Sequence, residues 1–117
     1  MKNDPVQMLH LIAQTIYDKK GHNILALDVR EVSTLTNYFL IAEGTVDRHV
    51  KSLAHAVLEK MKDKGEIAAN IEGEEVGDWI VIDYLDIIIH LFTPGLRDRY
   101  RLEELWNAGK IVDLVTS

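Results

Sequence analysis

Residues 79–92 read Trp-Ile-Val-Ile-Asp-Tyr-Leu-Asp-Ile-Ile-Ile-His-Leu-Phe, and no other stretch limits the fold so strongly. Two Ile- and Val-rich runs of strand length flank Asp83-Tyr84-Leu85-Asp86. Such a pattern specifies a hairpin of two buried strands. With Tyr84 and Leu85 as a two-residue loop, Asp83 faces Asp86, Val81 faces Ile88 and Trp79 faces His90. Side chains alternate along a strand, so these six share one face. The opposite face carries Ile80, Ile82, Ile87, Ile89 and Leu91. That aliphatic face is expected to pack on helices. The face mixing an indole, an imidazole and carboxylates is where function is expected.

The rest of the chain supports a single domain over residues 1–117. Its composition, 47% apolar and 27% charged, is that of a soluble globular protein. There is no cysteine, which excludes disulfides and thiolate metal sites and fits a reducing compartment. No apolar run reaches the ~18 residues of a membrane span. The start, Met-Lys-Asn-Asp-Pro, reads as the opening of a helix rather than a signal peptide, so a cytoplasmic protein is expected.

The net charge of −6 is uneven. Between Gly65 and Leu96 lie Glu66, Glu72, Glu74, Glu75, Asp78, Asp83 and Asp86, with no Lys or Arg; the remainder sums to +1. A field of this sign repels a nucleic acid backbone and attracts a basic partner. The plainer reading is a solvated acidic loop that aids solubility.

Asp4 and Pro5 pair a capping side chain with a first-turn proline, opening a helix over residues 5–20 with Gly21 as its stop. Residues 23–29 and 38–43 are apolar runs without alternation and read as buried strands. Thr45 or Asp47 caps a long helix to about residue 64, its stripe made by Val46, Val50, Leu53, Ala54, Val57, Leu58 and Met61, with Gly65 ending it. Residues 68–72 form a weak strand before the hairpin. After it, Thr93-Pro94 opens a short helix carrying Leu96, Tyr100, Leu102, Leu105 and Trp106. Residues 111–115 are a tail, strand or packed extension. The order α-β-β-α-β-β-β-α gives an α/β (α+β) domain, a mixed sheet of about five strands with flanking helices.

The chemistry-bearing residues are weighed against blander roles. His10, His22, His49, His55 and His90 show no i, i+4 partner in a ligand pattern, so no metal site is expected. His90 reads most simply as a half-buried strand residue bonded to a neighbour. Asp83 and Asp86 could serve as acid and base, but two carboxylates at a tight turn more often form the turn. Gly44-Thr45, between strand and helix, has the place of a phosphate-binding turn, yet the Walker and dinucleotide fingerprints are absent. Trp79 could be a core residue. Its neighbours Asp78, Asp83, Asp86 and His90 suit an interface anchor with a charged rim instead.

In their order and spacing, several blocks resemble the ribosomal silencing factor family (RsfS, also called Iojap-like). They are Asp18-Lys-Lys-Gly-His-Asn-Ile-Leu-Ala-Leu-Asp28, Thr36-Asn-Tyr-Phe-Leu-Ile-Ala-Glu-Gly44, Arg48, Glu72-Gly73, the hairpin with its terminal His-Leu-Phe, and Arg97-Asp-Arg-Tyr-Arg-Leu-Glu-Glu-Leu-Trp106. The resemblance implies a sheet of nucleotidyltransferase-like shape without the catalytic residues. It implies a factor that binds the large ribosomal subunit through ribosomal protein fourteen. Bound there, it blocks joining of the small subunit and represses translation under nutrient limitation. Two positions depart from the family pattern: Leu85 stands where glycine is frequent, and Asn37 where aspartate is frequent.

The expectation is therefore a non-enzymatic translational repressor with no cofactor, no direct nucleic acid contact and no membrane partner. A homodimer of the free protein is compatible with it. Its partner-binding residues are Trp79, Asp83, Tyr84, Asp86, Ile88 and His90. The alternatives are a nucleotidyltransferase-like enzyme acting on nucleotides and an acidic adaptor for another basic partner.

Overall fold

The computed structural model describes residues 1–99 and 109–114; of Arg97, Asp98 and Arg99 it describes the backbone alone. Its elements are α1 (Pro5–Asp18), β1 (His22–Asp28), β2 (Tyr38–Glu43), α2 (Asp47–Asp63), β3 (Asn70–Glu72), β4 (Trp79–Asp83), β5 (Ile87–Phe92), α3 (Pro94–Arg99) and β6 (Lys110–Val112). Six strands form one sheet in the order β3-β4-β5-β2-β1-β6. Among the described residues only β2 and β5 run parallel; the other pairs are antiparallel. The mixed sheet with helices is as expected, with the tail adding a sixth strand at Lys110–Val112. Leu102, Leu105 and Trp106 lie outside the described residues.

The helices start and stop for local reasons. Asp4 accepts the Val6 N–H at 3.2 Å and Pro5 opens α1. The left-handed residue beyond the helix is Lys20 (φ 68°), one before the expected Gly21. α2 departs from expectation at its start: the capping position is Val46, which supplies no side-chain bond. His49 takes over part of that role. Its Nδ1 accepts the Thr45 N–H at 2.9 Å, and Nε2, which therefore carries the proton, donates to the Lys19 carbonyl at 2.8 Å. One imidazole thus ties the end of α1 to the start of α2.

Both long helices cover one face of the sheet. Leu9, Ile12 and Ile16 of α1, and Val50, Leu53, Val57 and Met61 of α2, pack on Leu40, Ile80, Ile82, Ile87, Ile89 and Leu91. The aliphatic hairpin face is therefore in the main core, as the alternation predicts. The opposite face holds a second, smaller cluster of Leu27, Val29, Phe39, Ile41 and Phe92.

The hairpin register differs from the expectation. Trp79 pairs with Phe92, Val81 with His90 and Asp83 with Ile88. Tyr84 donates to the Ile87 carbonyl at 2.9 Å, so the loop is Leu85-Asp86. Moving the turn by one residue shifts the register by two, which leaves every strand side chain on its expected face. Leu85 occupies the turn at φ 73°, and the Asp86 N–H reaches the Tyr84 carbonyl across it at 2.9 Å. The left-handed turn persists although a leucine must make it.

Candidate functional site

Strand pairing assembles the face away from the long helices. Asn70 lies beside Asp83 and Glu72 beside Val81. Trp79, Val81 and Asp83 lie beside Phe92, His90 and Ile88, and Phe39 and Ile41 follow on β2. The centre is apolar: Phe39, Ile41, Leu27 and Phe92 are buried, with Trp79, Ile88, Leu25 and Leu96 half-buried around them. The β3 side of this face is acidic, through Glu72 and Asp83.

At its middle the Trp79 indole N–H donates to His90 Nδ1 at 3.2 Å. The Phe39 ring lies 5.5 Å from the imidazole, centroid to centroid. Burial pushes the His90 pKa down to about 4, so at neutral pH the ring is uncharged and its Nδ1 is free to accept. The bond occupies the polar edge of the indole. Trp79 is half-buried against the apolar cluster, and an amphipathic aromatic in such a place suits an interface anchor.

Of the six predicted partner-binding residues, the fold brings Trp79, Asp83, Ile88 and His90 onto this face. Tyr84 and Asp86 stand apart from them. Tyr84 points to the helix side and is buried in the main core. Its hydroxyl has no hydrogen-bond partner among the described residues, and burial, followed by the charge of Glu66, pushes its pKa up to about 12. Asp86 sits at the end of the sheet. Its Oδ2 lies 3.2 Å from the Met1 ammonium, and its Oδ1 accepts the Asn37 side-chain amide at 3.3 Å. Its carbonyl accepts the Tyr38 N–H at 3.0 Å.

The chain has no Lys or Arg near these carboxylates in sequence, yet in three dimensions Asp86 has a cation. Asp83 has a structural role as well, since its Oδ1 accepts the Leu85 N–H at 2.7 Å and fixes the turn. Glu66, counted with the acidic window, is buried. Burial opposes its charge, but bonds from the Asn3 backbone and side chain and the Lys2 backbone outweigh it and hold the pKa low. Glu72, Glu74, Glu75 and Asp78 are exposed and form no ion pair among the described residues. Sequence reasoning missed Glu72 and Asn70 as members of the face, because only the β3–β4 register places them there.

The other chemistries find little support. Gly44 is explained by packing: a Cβ there would lie 2.9 Å from Val50 Cγ2 and from the Val50 nitrogen, so the close approach of α2 requires glycine. Among the described residues no group of three His, Asp or Glu could hold a metal ion. One i, i+4 pair does exist, His55 with Glu59 at 3.3 Å, but both side chains are exposed. A groove of about 780 Å³ runs between α1 and α2. Its cations Lys19, Arg48, Lys51 and Lys60 are interspersed with Asp18, Glu59 and Asp63, so it has no single sign of charge. Among the described residues no helix is long and apolar enough to cross a membrane.

Comparison with known proteins shows what shares this arrangement. Residues 2–116 match the family described as "Ribosomal silencing factor during starvation". The chain is 35% identical to the ribosomal silencing factor RsfS of Chromobacterium violaceum, over 86% of this chain and 82% of that one. It is 28% identical to the mouse protein named mitochondrial assembly of ribosomal large subunit protein 1, over 90% of this chain and 47% of the mouse protein. A crystal structure of a protein from Chromobacterium violaceum matches with a TM-score of 0.86 at 32% identity, covering 97% of this chain and 94% of that one.

Proposed function

Because the chain belongs to the ribosomal silencing factor family, we propose that it seats its second sheet face on a basic protein of the large ribosomal subunit. The resemblance of its sequence blocks names that partner as ribosomal protein fourteen. Seated there in the cytoplasm as a single domain, the protein blocks joining of the small subunit by occupying its place and represses translation when nutrients are short. The observation that carries this reading is the face itself: an apolar centre around Trp79, flanked on the β3 side by the carboxylates of Asp83 and Glu72. An anchor of that kind with a charged rim suits a protein partner of opposite charge. The acidic field disfavours bare RNA as the docking surface. The family description names silencing and the mouse relative is named for the large subunit, so both support a regulatory rather than an enzymatic role.

Co-sedimentation with purified subunits tests it. The protein is expected to travel with large subunits, to prevent them from joining small ones, and to lose both effects when Trp79 is changed to Ala. Binding to small subunits alone, or undiminished binding by a folded Trp79→Ala variant, would overturn the reading.

A further inference from the structure

The sheet has an edge that the proposed docking face does not use. β3 pairs with β4 on one side, and among the described residues no strand lies on its other side. An unprotected edge is a template for another strand. Among the described residues the chain keeps clear of it. Directly after β3, Gly73 turns at φ 86° against the start of β4, where an added Cβ would lie 2.0 Å from the Trp79 carbonyl oxygen. The Gly77 N–H then closes the loop on the Gly73 carbonyl at 2.9 Å. The loop is folded on itself, and Asn70 and Glu72 remain exposed.

Two further features surround the edge. Ile67, before β3, is 71% exposed, and Val76, after it, is 64% exposed, so an apolar side chain stands beyond each end. Glu72, Glu74 and Glu75 line the same stretch and form no ion pair among the described residues, while Lys51 of α2 lies on the helix side of the loop, against Gly77. The charge decides between occupants. A second copy of this edge would bring glutamates against glutamates, which cross-strand pairing disfavours. A basic extended segment meets complementary charge instead.

We infer that β3 takes an extended, Lys- or Arg-bearing segment of the protein partner as an added strand. Main-chain hydrogen bonds to Ile71, whose N–H and carbonyl turn away from β4, hold the segment, Ile67 and Val76 take its apolar side chains, and the glutamates select its charge. A three-residue strand offers few such bonds, so the edge works as a side arm to the Trp79 face. The inference rests on the partner being a basic ribosomal protein, as proposed above.

The experiment uses the full chain, isotope-labelled, with an eight-residue synthetic peptide alternating Lys or Arg with Val or Ile. A counterpart carries Glu at every basic position. Amide exchange of Ile71 is expected to slow at least tenfold with the basic peptide and not with the acidic one. The exposed triple variant Glu72→Lys, Glu74→Lys, Glu75→Lys, confirmed as folded by its melting temperature, is expected to lose that protection. Three outcomes overturn the inference: binding of the basic peptide without protection at β3, equal protection by the acidic peptide, or protection from self-association alone, seen in sedimentation without peptide. Co-sedimentation of the unmodified protein with large subunits separates the two readings. If subunits bind but the peptide does not protect β3, only the edge inference fails. If subunits do not bind, the docking proposal fails whatever the peptide does.

Discussion

The Trp79 indole N–H donates to His90 Nδ1 at 3.2 Å, and that bond exists only while the imidazole is neutral. It makes stability depend on pH. The native pKa of His90, about 4, lies below the ordinary 6.5. Between those values the unfolded chain binds a proton that the native state refuses, so stability is constant above about pH 6.5 and falls as the pH drops towards 4. The loss should reach roughly 2–3 kcal/mol. Urea unfolding of the protein and of His90→Gln at pH 7.5 and 4.5 checks it, since glutamine keeps an acceptor for the indole but does not titrate. If the two proteins lost stability in parallel, carboxylates such as Glu66 rather than His90 would govern the acid limb.

Tyr84→Phe is expected to hold or raise the melting temperature. Its hydroxyl is buried without a partner among the described residues, and an unsatisfied buried polar group costs about 1–3 kcal/mol. Removing it leaves the ring packed in the core and lifts that cost. A clear drop in melting temperature would mean that the hydroxyl has a partner, an internal water for example. The same variant should bind large subunits normally, since Tyr84 faces the helices rather than the proposed docking face.

The two positions at which the family resemblance implies another residue meet at one place. Leu85 precedes Asp86, and Asn37 donates its amide to Asp86. A leucine at φ 73° is strained by about 1 kcal/mol, so Leu85→Gly should melt no lower than the original, the relief offsetting the added chain entropy. Asn37→Asp replaces a donor with a second carboxylate beside Asp86 and should cost about 1 kcal/mol at neutral pH. The double variant, Asn37→Asp with Leu85→Gly, installs the residues that the family resemblance implies at both positions. If it proved more stable than either single change allows by addition, the two sites are coupled through the turn.

This corner also marks the limit of what the sequence shows. Alternation in residues 79–92 was enough to sort Ile80, Ile82, Ile87, Ile89 and Leu91 onto the helices and Trp79, Asp83, Ile88 and His90 onto the other face. That outcome is insensitive to the exact turn, because shifting a hairpin loop by one residue preserves every face. The turn itself was legible only in part. Tyr84 falls on the helix side because it continues the alternation of Ile80 and Ile82, which a reading of residues 84 and 85 as a loop passes over. The salt bridge of Asp86 joins positions 1 and 86, and the bonds of Glu66 join positions 3 and 66. No local pattern encodes contacts of such separation. Glu72 joined the docking face for the same reason, through a three-residue edge strand too short to reveal its register.

The placement of the carboxylates changes how the docking face should be tested. Reversing Asp83 to lysine would remove the acceptor that holds the Leu85 N–H, so lost binding could reflect a lost turn. Asp83→Asn keeps a side-chain oxygen for that bond and removes only the charge. It is expected to fold normally, and to bind large subunits more slowly, with the deficit largest at low salt, because a rim charge acts mainly on the association rate. Trp79→Ala removes the anchor itself, and an aromatic hot spot commonly contributes ~2 kcal/mol or more, about thirtyfold in affinity. That loss should persist at all salt concentrations and reside in dissociation. Glu72→Gln, which the β3–β4 register places beside Val81, should resemble Asp83→Asn. Association and dissociation rates for the three variants, measured at two salt concentrations on immobilised large subunits, separate the anchor from the rim. If Asp83→Asn and Glu72→Gln bound as fast as the original at low salt while Trp79→Ala failed, the partner would be docking on the indole alone. The acidic flank would then be a solvated surface and no part of the recognition.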